Sequence, residues 1–197
     1  MSPVISTATK YSLQTLNFKV LEISDHFEFD CGNDDLNDFF LNDAIPHKQY
    51  LIGVTYVFYH QNKAIAFFTV SNDSIELPNR LKRKNPRSKQ YRFHPAVKIG
   101  RLGVHKDCQG TGIGSDLMDF IKGLFVMNNK TGCRFITVDA YNEPLITKYY
   151  LRNDFICMTA KDENESTRSM VYDLIPYRNA VDRILIEKGE PPSFSNR

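Results

Sequence analysis

The sequence predicts an α/β domain in which short strands alternate with amphipathic helices. Three observations carry this. Strand-like apolar segments recur between segments whose apolar residues fall at three- and four-residue spacing. A glycine triplet, Gly110, Gly112 and Gly114, joins one strand pattern directly to one helix pattern. The 197 residues are 42% hydrophobic and 12% aromatic, enough apolar surface for one domain with a sizeable core.

Taken in order, residues 1–15 are polar and aperiodic and read as a flexible arm. Phe18 to Ile23 suits a strand. Asn33 to Leu41 reads as a helix with an acidic first turn, which complements the helix dipole, and Leu36, Phe39 and Phe40 form its apolar face. Ile52 to Tyr59 and Ala64 to Val70 are two strands across the hairpin-length turn His60–Lys63. Val97 to Val104 is the next strand. Ile113, Leu117, Phe120, Ile121 and Leu124 give a well-patterned helix. Phe135 to Ala140 is a buried-type strand, and Glu143 to Asn153 a helix that tolerates Pro144 in its first turn. Phe155–Cys157 and Ser169–Leu174 close the sheet. Asn179 to Lys188 reads as a terminal helix stopped by Gly189, Pro191 and Pro192. The expected organisation is an arm (1–15), one α/β domain (16–176) and a C-terminal helix and tail (177–197).

Composition excludes several classes. A net charge of +2 gives no global polyelectrolyte character. The richest apolar run, Ala64 to Val70, is strand-sized rather than membrane-spanning. The N-terminus lacks the basic start and apolar stretch of a signal peptide. Cys31, Cys108, Cys133 and Cys157 show no metal spacing and suit free thiols of a cytoplasmic protein. The five histidines show no pairing at helical spacing, so no metal site is expected.

The stretch Gln109-Gly110-Thr111-Gly112-Ile113-Gly114-Ser115 is the most specific feature. Glycines leave backbone amides without side-chain cover, and a helix start follows, so N–H groups and a helix dipole converge on an anion. A Walker loop is excluded, because no Lys follows the glycines. The Gly-x-Gly-x-Gly spacing is not the dinucleotide fingerprint either. It resembles the Gln/Arg-x-x-Gly-x-Gly/Ala signature of the Gcn5-related N-acetyltransferase (GNAT) superfamily, with Gln109, Gly112 and Gly114 in the signature positions.

The resemblance implies a GNAT fold: a mixed, mostly antiparallel central sheet flanked by helices, with a splayed V between two central strands for the cofactor. It implies acetyl-coenzyme A (acetyl-CoA) as cofactor, its pyrophosphate on Gln109, Gly110, Thr111, Gly112, Ile113, Gly114 and Ser115. The strand end Leu102-Gly103-Val104 is implied to pair with the pantetheine arm, and Asn142 to contact it by its side chain. The block from Tyr141 to Phe155 resembles the family's aromatic-Tyr-x-x-x-Gly-Phe helix end. It places the general acid on Tyr150, with Tyr149 beside it and Asp154 where glycine is usual. Asp tolerates a left-handed turn better than most residues. The cofactor strand offers no acid, and Glu76 and Glu143 are base candidates by neighbourhood alone. An α-amine, with a pKa near ~8 against ~10.4 for lysine, makes a strong base less necessary.

Arg80 to Arg92 carries seven basic residues and no acid. Lys82, Arg83, Lys84, Arg87, Lys89 and Arg92 are candidate phosphate contacts for a tRNA, with Tyr91 and Phe93 available for stacking. The segments Phe29-Asp30-Cys31-Gly32-Asn33, Leu36-Asn37-Asp38-Phe39-Phe40 and Arg101-Leu102-Gly103-Val104 resemble the acetyltransferase toxins of toxin–antitoxin systems. That resemblance implies aminoacyl-tRNA as acceptor and an antitoxin as partner. A small amine, a protein N-terminus, or a non-catalytic acetyl-CoA-binding role in regulation or nucleic-acid binding remain open alternatives. The C-terminal helix is a candidate surface for a second subunit. No membrane partner is expected.

Overall fold

The computed structural model describes residues 11–77, 91–127 and 132–193. Seven strands form one sheet in the order β1-β2-β3-β4-β5-β7-β6. They are β1 (Asn17–Val20), β2 (Val54–His60), β3 (Lys63–Glu76), β4 (Phe93–Val104), β5 (Phe135–Tyr141), β6 (Ile156–Cys157) and β7 (Thr167–Asp173). The helices are α1 (Asp34–Asp38), α2 (Ala44–Gln49), α3 (Ile113–Met127), α4 (Pro144–Arg152) and α5 (Leu174–Glu187). The mixed, mostly antiparallel sheet expected from the sequence is present. The pairs β1–β2, β2–β3, β5–β7 and β6–β7 are antiparallel, whereas β4–β5 is parallel. The β4–β5 ladder covers Ala96–Ile99 and Phe135–Val138, and both strands run on beyond it, β4 to Val104 and β5 to Tyr141.

The chain divides into two compact units: residues 1–70 with 101–117, and residues 71–100 with 118–197. In the first, β3 is apolar on both sides: Ala64, Ile65, Ala66, Phe67 and Phe68 are fully buried. Such a continuous run suits a central strand whose two faces are both covered. Its core is aromatic. Phe29, Phe40 and Phe67 pack with ring centroids 4.8–5.1 Å apart, geometry worth about 0.5–1.5 kcal/mol per pair beyond area burial. The β2–β3 hairpin turns at Gln61–Asn62 as expected, with Gln61 at φ 53°. In the second unit Ile75, Leu77, Ala96, Phe135 and Val171 form a buried cluster.

Among the strands, β1 ends at Val20 rather than Ile23, β3 runs to Glu76 rather than Val70, and β4 starts at Phe93 rather than Val97. Three helix boundaries differ from the sequence reading for identifiable reasons. The first helix runs on from α1 through a π turn, Phe39–Asp43, into α2. Pro46, which lacks the N–H an α-helix would use, lies just after that wide turn. Asn33 is the cap rather than a helical residue: its Oδ1 accepts from the Leu36 N–H at 3.0 Å. The terminal helix begins at Leu174, not Asn179. Asp173 caps it by accepting from the Ile175 N–H at 3.1 Å, and Pro176 sits in the first turn, where no N–H is needed. Residues 1–10 of the expected arm lie outside the described residues, while Leu13–Thr15 forms a 3-10 turn with Leu13 buried.

Candidate active site

The glycine loop belongs to the first unit. Gly110 and Gly112 take φ of 74° and 97°, the left-handed region where a side chain is strained. A Cβ at either would meet nothing within 4 Å. The glycines therefore serve the backbone path and not packing. Among the described residues the N–H groups of Gly110, Thr111, Gly112 and Ile113 donate to no protein acceptor. Ser115 and Asp116 N–H close onto the Gly112 carbonyl at 2.9 and 3.1 Å and start α3. Thr111 Oγ1 braces the turn by donating to the Cys108 carbonyl at 2.6 Å. Uncommitted N–H groups at a helix start, with open space beside them, fit a pyrophosphate.

Gln109 enters differently from expectation. Its Nε2 donates to the Cys31 carbonyl at 2.8 Å and to the Val104 carbonyl at 2.9 Å. Both amide hydrogens are thereby committed, and the Oε1 that is left is an acceptor, which an anion does not seek. Gly103 is buried beneath the aromatic core: a Cβ there would lie 2.7 Å from Phe67 Cε1. Its role is close packing. Past the strand, His105 N–H donates to the Ile65 carbonyl on β3 at 2.8 Å. Val104 turns its carbonyl the other way, to Gln109, and regular alternation carries Leu102 to that same edge. His105 itself is buried and neutral: burial lowers its pKa, and Nδ1 accepts from the Asp107 N–H at 3.2 Å.

Tyr150 and Asn142 lie in the second unit. Helix α4 ends in a Schellman motif. Phe155 N–H donates to the Tyr150 carbonyl and Asp154 N–H to the Leu151 carbonyl, both at 3.1 Å. Asp154 stands at φ 65°, in the left-handed turn the sequence required of it. The motif packs the Phe155 ring on Tyr150 at 5.3 Å, and Tyr149 meets Tyr150 edge-on at 5.1 Å. Tyr150 is buried, and its hydroxyl has no hydrogen-bond partner among the described residues. Burial pushes the Tyr149 and Tyr150 hydroxyl pKa values well above the ordinary tyrosine range, so both stay protonated at neutral pH. Asn142 is a clamp. Its Nδ2 donates to the Glu163 and Glu165 carbonyls at 2.8 and 2.9 Å. Only its Oδ1 is left for a pantetheine amide.

Of the remaining candidates, Glu76 lies 3.5 Å from Arg92 as an exposed pair, and Glu143 is the exposed cap residue of α4. Lys82, Arg83, Lys84, Arg87 and Lys89 lie outside the described residues. Sequence reasoning missed the Asp30–Asn37 junction. An Asp two residues before Gly32 signals a tight side-chain-to-backbone turn. The structure has it: Asp30 Oδ1 accepts from the Gly32 N–H at 2.8 Å, with Gly32 at φ 77°.

A glycine turn with uncommitted N–H groups leading into a helix, in a mixed sheet of this order, fits the class of acyltransferases that take a nucleotide cofactor. The acetyltransferase (GNAT) domain family matches residues 52–157, more than half of the chain. The chain belongs to that family; it is an N-acetyltransferase, and acetyl-CoA is its cofactor. No curated protein matches it at the level of sequence. Among solved structures, a tyrosine-to-phenylalanine variant of KacT superposes with a TM-score of 0.70 at 20% identity, covering 84% of this chain and 98% of that one. AtaTR bound with acetyl-CoA gives 0.67 at 22% identity over 84% and 97%. AtaT complexed with acetyl-methionyl-tRNAfMet gives 0.66 at 19% identity over 84% and 98%. Another neighbour is an AtaT variant bound to the C-terminus of the antitoxin AtaR. These likenesses establish the fold. Among the described residues no helix is long and apolar enough to cross a membrane.

Proposed function

We propose that this chain acetylates the α-amine of an aminoacyl-tRNA and acts as the toxin of a toxin–antitoxin pair. The observation that carries the reading is the likeness to AtaT, a protein solved with acetyl-methionyl-tRNA, over 98% of that chain. The basic segment 80–92 supports it, as does the absence of an acid on the cofactor strand.

Acetyl-CoA, when bound, supplies an activated thioester and a thiolate leaving group. In the first unit the N–H groups of Gly110 to Ile113 would hold the pyrophosphate, and the backbone edge at Leu102 and Val104 would align the pantetheine arm. In the second unit the Asn142 Oδ1 would accept from a pantetheine amide. Tyr150, kept protonated by burial, would give its hydroxyl proton to the leaving sulfur, and the proton shed by the attacking nitrogen would restore it through solvent. The attacking amine needs little help. An α-amino group has a pKa near ~8, so an appreciable fraction is free base at neutral pH. Holding both reactants in one site supplies much of the rate.

Acetyl transfer from labelled acetyl-CoA to charged tRNA, with uncharged tRNA as control, tests this. Label only on the charged pool is expected. Absence of transfer, with acetyl-CoA binding confirmed separately, removes the tRNA reading and turns the search to small amines and protein N-termini.

A further inference from the structure

Gln109 ties the cofactor loop to a junction at the start of α1. The Cys31 carbonyl that receives Gln109 Nε2 is itself held in place. Cys31 N–H donates to Asn37 Oδ1 at 2.9 Å, and Asn37 Nδ2 donates to Asp30 Oδ1 at 3.1 Å. The other Asp30 oxygen takes the Lys106 ammonium at 2.6 Å, and Lys106 N–H donates to the Asp30 carbonyl at 2.9 Å. The connections form a closed circuit: Asp30, Asn37, Cys31, Gln109 and, through the short chain back to Lys106, Asp30 again. Every member belongs to the first unit.

We propose that Asp30, Asn37 and Gln109 are positioning residues that hold the glycine loop in its anion-binding conformation. They touch the loop's supports and not the cofactor. The proposal rests on the reading that this loop takes the pyrophosphate of CoA. The chemistry at Gln109 is strict, because two carbonyl oxygens face the side chain and only donors satisfy both. Arg supplies such donors and Glu supplies none.

CoA affinity measured by calorimetry on Gln109→Arg, Gln109→Glu and Asn37→Ser tests the strut. Gln109→Glu sets a carboxylate against two carbonyls and is expected to weaken CoA about tenfold or more, the scale of a lost partly buried hydrogen bond. Asn37→Ser is expected to follow in the same direction. Gln109→Arg is expected to stay close to the parent, a rescue that general loss of folding would not produce. A Gln109→Glu protein that binds CoA like the parent, or a Gln109→Arg protein as weak as Gln109→Glu, overturns the proposal. Gly112→Val tests the underlying reading separately. If that change leaves CoA affinity intact, the pyrophosphate does not sit on the loop, whatever the Gln109 series shows. Should Gln109→Glu fail to fold, the comparison of Gln109→Arg with Asn37→Ser carries the same decision.

Discussion

Tyr150 is defined by two facts at the scale of one residue: its hydroxyl has no protein partner among the described residues, and its ring is locked by Phe155. Tyr150→Phe should therefore keep acetyl-CoA affinity and lower kcat by about 100-fold or more, the range of a general acid; unchanged turnover would shift the role to Tyr149. Burial raises the hydroxyl's pKa, so the acid form persists beyond the ordinary tyrosine range near ~10. The rate should rise with pH as the α-amine loses its proton and should show no falling limb below that point. A falling limb near neutrality would assign the acid elsewhere. Asp30 behaves oppositely. Lys106, the Gly32 N–H and Asn37 lower its pKa to about 2. Its contribution to stability is therefore present above the ordinary carboxylate value of 3.8 and is lost as pH falls through about 2. Acid unfolding of Asp30→Asn should lack the part of the parent's transition that falls in this window. Lys122 illustrates a residue hidden from the sequence. It follows Ile121 on α3 and is buried, with Nζ 4.4 Å from the Tyr172 ring.

At the scale of an element, two helices end on Schellman turns with a residue other than glycine in the left-handed position. After α2, Leu51 stands at φ 58°, with Ile52 N–H donating to the His47 carbonyl at 2.9 Å. After α4 the residue is Asp154 at φ 65°. Leucine gains nothing from that conformation and is 93% exposed there, so no packing offsets the strain. Leu51→Gly should stabilise the protein by about 0.5–1 kcal/mol, the left-handed penalty less the entropy glycine adds to the unfolded chain. Asp154→Gly should gain less, because aspartate tolerates the conformation. Urea denaturation of both variants measures the order, and a larger gain at Asp154 would contradict it. The elements with a clear period were legible: α3, the turn of the β2–β3 hairpin and β5 were placed closely, although β3 runs six residues past the expected Val70. The continuation of the first helix to Gln49 was not, because a π turn has no pattern in sequence and Pro46 argues for a stop.

For the molecule as a whole, charge separates the candidate acceptors. The net charge is only +2, while segment 80–92 concentrates seven basic residues. A tRNA held by even a few phosphate contacts should lose on the order of tenfold in affinity or more between 50 and 200 mM salt, whereas a small neutral amine should barely respond. Initial rates against charged tRNA across that salt range make the measurement. A flat profile removes the polyanion from the reaction.

The sequence by itself determined the class. Gln109-x-x-Gly112-x-Gly114 between a strand and a helix is a local pattern, and local backbone geometry dictates which residues can adopt it. The same holds for Asp154, whose left-handed turn follows from its place at a helix end. Tertiary structure decided what the side chains around that pattern do. Gln109 reaches a carbonyl 78 positions away and Lys106 a carboxylate 76 away. Gly103 is glycine because Phe67 lies against it, and Asn142 spends its donors on Glu163 and Glu165. Such roles depend on long-range partners that no spacing in the chain records. A hydrogen-bond donor is read from a residue's type, but its acceptor exists only once the fold has brought it there.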